Sequence, residues 1–193
     1  MGAVVAERPA PPDGRSALSG AKGRCEVDGP RLGGVDDGAT LFRRVLGAFP
    51  TRVVLITASD EQGPVGLAVS SFTSVSLDPP LVLFCAAHSS DTWPRIRTAG
   101  VFAVNVLGED AAGVCRRFAR KDVDRFAGSG YHLGATGAPV LPGVAAHLDC
   151  RIEAVHPGGD HAIVVGRVVH LAADEAVLPL VFHGGDYRSL RAV

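Results

Sequence analysis

Five small hydroxylated residues, Ser70, Ser71, Thr73, Ser74 and Ser76, fall within seven consecutive positions of the segment VGLAVSSFTSVSLDPPLVLFCAA, Val65 to Ala87. Two β-favouring runs flank them, and Asp78-Pro79-Pro80 separates them from the apolar run Leu81-Val82-Leu83-Phe84-Cys85. Around Ala68-Val69-Ser70-Ser71-Phe72 the side chains are small enough for a flat ligand to reach the main chain. Freed amides and hydroxyls there can donate hydrogen bonds. The same residues would equally suit the solvent side of an ordinary sheet. As chemistry the pattern describes a binding surface, with no nucleophile–base pair and no metal cage.

Further along, Ala87-His88-Ser89-Ser90-Asp91-Thr92 leads into a predicted helix. A helix start with neighbouring hydroxyls suits an anion such as phosphate, while N-capping by Ser90 or Thr92 explains the same residues. Phe118-Ala119-Arg120-Lys121 closes another predicted helix with positive charge. That charge either complements the helix C-terminus or brings Lys121 to a ligand phosphate. His161 follows Pro157-Gly158-Gly159-Asp160 and opens an apolar strand, a place that presents a side chain; Asp160 also reads as a turn residue. Tyr187-Arg188 is either an aromatic-plus-cation contact or a terminal anchor. His132, His147, His156, His170 and His183 show no spacing that suggests a metal, and none is expected. The four cysteines, Cys25, Cys85, Cys115 and Cys150, are scattered without a CxxC and read as free thiols in a reducing cytoplasm.

The elements that must position these groups are mostly strands. Residues 1–36, rich in Pro, Gly, Arg and Ala, read as a flexible N-terminal arm, and 37–193 as one domain. Leu41, Phe42, Val45, Leu46 and Phe49 form one stripe of a helix capped near Asp36-Asp37 and stopped by Pro50. Strands are predicted over 53–59, 65–70, 81–86, 101–107, 146–156, 162–172 and 180–182. Helices are predicted over 91–99 and 110–120, with a further helical turn over 121–126 and a long surface loop over 127–147. Many short strands with few helices indicate a mainly β fold, a small barrel. There is no GxGxxG and no GxxxxGK[ST], so any nucleotide is held by other means.

A net charge of −1 over 193 residues gives no electrostatic reason to expect nucleic acid or an anionic membrane as partner. The first residues carry Glu7 and Arg8 where a secretion signal would be apolar. No apolar run is long enough to span a bilayer, so the expectation is cytoplasmic.

Taken in order, FRRVLGAFPTRVVLIT, GLAVSSFTSVSLDPPLVLFC, FAVNVL, RRFARK, GDHAIVVGRV and GGDYRSL resemble the short-chain flavin reductases of two-component flavin-dependent monooxygenases. The resemblance covers about residues 41–190. It implies an FMN-binding split β-barrel, assembled as a homodimer, that uses NADH or NADPH to reduce FAD or FMN for a partner oxygenase. By position in those motifs, Ala68, Val69, Ser70, Ser71 and Phe72 would line the flavin, and Ser89, Ser90 and Thr92, with Lys121, its phosphate. His161 would stand on the nicotinamide side beside Asp160, with Tyr187 and Arg188 touching the same dinucleotide. Thr51-Arg52 departs from the glycine that many members carry before the first strand. Two other readings stay open: a flavin-binding protein without catalysis, and an oxidase of the pyridoxamine-phosphate-oxidase type.

Overall fold

A computed structural model of the protein describes residues 35–190. The expected N-terminal arm lies outside them, apart from its last two positions. Helix α1 (Val35–Leu46) comes first, followed by β1 (Thr51–Arg52), β2 (Val54–Asp60), β3 (Gly63–Val69), β4 (Thr73–Leu77) and β5 (Pro80–Ala87). After α2 (Trp93–Ala99) and β6 (Val101–Leu107), a single 3-10 turn (Glu109–Ala111) leads into α3 (Ala112–Phe118). The chain then forms β7 (His132–Leu133), β8 (Pro139–Val140), β9 (Val144–Gly158), β10 (His161–Ala173), β11 (Val181–His183) and β12 (Asp186–Arg188).

Seven strands make one antiparallel sheet in the order β3-β2-β6-β9-β10-β5-β4. Strands alternate their side chains between faces. Val54, Ile56 and Ala58 of β2, Phe84 and Ala86 of β5, Phe102 and Val104 of β6, and Val164 of β10 all enter one buried cluster. A flat sheet cannot bring β2 and β5 to a common core from positions so far apart in strand order, so the sheet is rolled. Trp93 and Ile96 of α2 join that core, with Phe84 edge-on to both Trp93 and Phe102. Gly166 of β10 is a position where the barrel leaves no room for a side chain: a Cβ there would collide with the Phe102 ring and lie 3.3 Å from the Cys150 Cβ.

The opposite face of β2 builds a second cluster. Val53 and Leu55 pack there with Leu107, Cys115, Phe118, Leu141 and Leu180. Strand β2 is therefore buried on both faces, which explains its unbroken apolar run. Thr51-Arg52, the departure from the family's glycine, forms β1 and pairs with β11 in a separate three-stranded sheet.

Several expectations need correction. The sequence places the hydroxyl cluster between strands, yet Thr73–Leu77 is itself strand β4, pairing with β5 at the sheet edge. Residues 121–126 are not helical: Asp122 sits at φ 57°, and side chains hold the turn. Arg125 donates through Nε and Nη2 to the Arg120 carbonyl, and Arg117 Nε donates to the Arg125 carbonyl. Residues 127–147 are not a surface loop throughout. They contain the β7–β8 hairpin, and Ala138, Val140 and Leu141 are buried. Buried polar groups make that possible: Asn105 Oδ1 accepts from the Leu141 amide at 2.8 Å, and the Thr57 hydroxyl donates to the Pro139 carbonyl at 2.5 Å. The strand expected over 180–182 is β11, and β12 follows it across the Gly184-Gly185 turn. Most of the α1 stripe lies at the surface among the described residues, where Phe42 is 64% exposed.

Candidate functional site

At the end of β3 the chain turns through Ser70-Ser71 before entering β4. The Ser71 hydroxyl oxygen accepts the Cys85 amide at 2.8 Å, fastening this turn to β5. Ser71 is thus partly a structural residue, and the small side chains around it leave a hollow. On β5, Val82, Phe84 and Ala86 point into the barrel, so Cys85 and Ala87 face outward to that hollow.

Across from it, β5 ends in the turn at Ala87-His88-Ser89-Ser90. The His88 amide donates to the Asp160 carbonyl at 3.0 Å, and His161 pairs with Ala87 across the sheet. Those two contacts bring the serine turn and the β9–β10 turn together, although seventy residues of chain separate them. Ser90 Oγ accepts from the Thr92 and Trp93 amides, both at 3.3 Å, capping α2 while its own proton remains available. Helix α2 has only seven residues, so its dipole offers little to an anion; hydroxyls and a cation must serve instead.

A cleft of about 390 Å³ results. Of the residues expected to bind, it brings together Ala68, Val69, Ser70, Ser71, Ser89, Ser90, Lys121 and His161. Among the described residues, Lys121 has no carboxylate partner. His161 Nδ1 lies 2.7 Å from Asp160 Oδ1. That hydrogen bond from the imidazole, with its nearby charge, holds the Asp160 carboxyl below its usual range. Asp160 thus stays ionised and engages the Nδ1 side of the ring, leaving Nε2 outside that hydrogen bond.

Five expected residues stand elsewhere. Phe72 packs on the barrel core. Thr92 is buried and lines an adjoining cavity of about 380 Å³; its hydroxyl accepts from Arg125 Nη1 at 2.5 Å. Asp160 hydrogen-bonds His161 and does not line the cleft. Tyr187 lies edge-on to Phe182 under the Arg116 guanidinium, 4.9 Å from the ring centre. Burial, with the Cys115 thiol beside it, pushes its phenol up to about 12. Arg188 reaches back 3.8 Å to Asp186. Within this chain, then, Tyr187 and Arg188 anchor the small sheet.

Among the polar side chains lining the cleft, three are not expected from the sequence: Cys85, Asp91 and Arg125. Alternation along β5 was enough to find Cys85. Nothing local marked Arg125, which lies between the two cavities and also donates to the Gly66 carbonyl at 2.9 Å.

Residues 46–191 match the model of the flavin reductase like domain. The chain belongs to this family. It is 48% identical over 153 residues to a flavin reductase of Pseudomonas putida, covering 79% of this chain and 90% of that one. It is 46% identical over 149 residues to the flavin-dependent monooxygenase reductase subunit HsaB of Rhodococcus jostii, covering 77% and 76%. Among solved structures it resembles the Streptomyces globisporus NADH:FAD oxidoreductase SgcE6 in complex with NAD and FAD fragments. There the TM-score is 0.76 at 38% identity, over 79% of this chain and 93% of that one. The rolled antiparallel sheet described above is the split barrel of these flavin reductases. The cleft's small residues, hydroxyls and unpaired lysine fit a flat ring system carrying a phosphate, in a volume typical of ligand sites.

Proposed function

We propose that this chain is an NADH-dependent flavin reductase that reduces FAD or FMN and releases the product to a partner flavin-dependent oxygenase. The observation that carries the reading is the convergence of Ala68–Ser71, Ser89-Ser90, Lys121 and His161 on one open cleft. When both cofactors are bound, hydride passes between nicotinamide and flavin, so the protein's work is binding and alignment. Ala68 and Val69 give the flat ring close access to the backbone, and Ser70 offers it a hydroxyl. Ser89, Ser90 and Lys121 hold the phosphate. His161, fixed by Asp160, orients the nicotinamide. No acid–base pair is required. An open cleft also lets flavin leave, as a diffusible product must.

The assembly is a homodimer in the cytoplasm. Its support is the apolar surface one chain leaves uncovered: Phe42, Val45, Leu46 and Phe49 around α1, and Val75 with Leu77, the latter 94% exposed, on edge strand β4. Among the described residues no helix is long and apolar enough to cross a membrane. Sedimentation velocity tests the dimer, which Leu46→Asp should dissociate.

The activity is tested by stopped-flow and steady-state oxidation of NADH and NADPH, each crossed with FMN, FAD and riboflavin. Turnover of NADH that depends on added flavin is expected. Flavin binding without nicotinamide oxidation would reduce the protein to a carrier, and oxygen-dependent turnover without nicotinamide would make it an oxidase.

A further inference from the structure

At the far end of the β9–β10 ribbon, nine residues and roughly 30 Å of strand from His161, a buried carboxylate faces two imidazoles. His147 and Asp149 share one face of β9, two residues apart, and His170 is the cross-strand partner of Asp149. The Asp149 side chain is fully buried. Its Oδ1 accepts from the Thr136 amide at 3.1 Å and from the Thr136 hydroxyl at 2.8 Å. Its Oδ2 is buried with no hydrogen-bond partner. That orphaned oxygen lies 3.6 Å from His170 Nδ1 and 3.9 Å from His147 Nε2.

We propose that His147, Asp149 and His170 form a three-ligand site for a divalent transition-metal ion of the Zn2+ class. The three donor atoms lie within 4.8 Å of one another. Bonds of about 2.0–2.2 Å to one ion place tetrahedral neighbours ~3.4 Å apart, so small side-chain movements close the set. An ion there supplies the charge that a buried carboxylate otherwise lacks and occupies the orphaned Oδ2. Thr136 fixes the carboxylate by its other oxygen, as groups behind metal ligands commonly do. His170, 51% exposed on its side chain, marks the entry path, and the fourth position is left to water or to His132, whose ring centre is 6.2 Å from that of His147.

The test titrates the metal-free full chain with Zn2+ alone by calorimetry, and with Co2+ by its visible ligand-field absorption. One ion per chain is expected. His170→Ala and His147→Gln should each abolish stoichiometric binding, and Thr136→Val should weaken it about 10–100-fold. NADH oxidation by His170→Ala should be unchanged, since the flavin cleft lies elsewhere. His170 is half-exposed, so its variant keeps the test valid even if changes at Asp149 prevent folding. Failure of the unaltered chain to bind either ion, or full binding retained in either histidine variant, overturns the site. Loss of NADH oxidation in the unaltered chain would instead count against the proposed reductase.

Discussion

Both ends of the β9–β10 ribbon carry an aspartate beside histidine, yet burial gives the two groups opposite roles. Asp160 is 93% exposed and pairs with one imidazole, so water shares the task of solvating it. It hydrogen-bonds the His161 ring, which lines the cleft. Asp149 is buried, and Thr136 satisfies only one of its oxygens. An unpartnered buried oxygen calls for charge or donors, which the ion proposed above would supply. Residue type alone does not assign a role; solvent access does.

Breaking the exposed end at its imidazole should have the largest effect. His161→Ala should lower kcat/KM for NADH about 100-fold through lost alignment. The KM for flavin should change little. Stopped-flow reduction read against direct flavin titration separates the two, and equal loss of both would remove His161 from the nicotinamide side.

Disturbing the ribbon midway asks whether its ends depend on each other. Gly166→Val drives a side chain into Phe102 and should cost about 2 kcal/mol of stability by denaturant unfolding. If the ends are independent, the folded protein keeps its kcat with NADH. A collapse of kcat in fully folded protein would mean the barrel core sets cleft geometry more tightly than the local contacts suggest.

Legibility followed the range of the contacts. Strand β6 was predicted at its observed bounds, because its alternation and its flanking Gly100 and Gly108 are local signals. The serine turn was visible in the small residues themselves. Strand β4 was not, since the hydroxyls of Thr73–Leu77 lie on an edge strand where no apolar alternation is required. The turn at 121–126 reads as helix because nothing local in the sequence shows the left-handed backbone of Asp122 or the Arg125 bond to the Gly66 carbonyl, 59 residues away. The proposed set of His147, Asp149 and His170 is likewise not visible in the sequence. His147 and Asp149 are visibly two apart on one strand face, but His170 joins them only through a register that includes a shift between Val168 and His170.

Lys121 sharpens the exposed end by separating phosphate from ring. With no carboxylate partner among the described residues, its removal frees no buried charge. Lys121→Ala should raise the KM for FMN about 10-fold, the scale of one charge-assisted contact, while leaving riboflavin unaffected. Equal effects on both flavins would place the lysine away from the phosphate.

The smallest effect belongs to the solvated carboxylate. The Asp160 carboxyl is held below its usual range, first by the His161 hydrogen bond and then by its charge. A depressed carboxylate contributes stability that is fully present above its unfolded pKa, about 3.9, and is lost as pH falls through the lower folded value. Because the group is almost wholly exposed, screening keeps that contribution slight. Asp160→Asn should therefore leave the melting temperature at pH 7 nearly unchanged and slightly flatten its fall in acid. It should lower kcat/KM for NADH only about 3-fold, since an amide oxygen still accepts from Nδ1. A loss as large as that of His161→Ala would mean that the negative charge on Asp160, rather than its hold on the ring, is what the nicotinamide side requires, and the contrast with Asp149 would then rest on geometry alone.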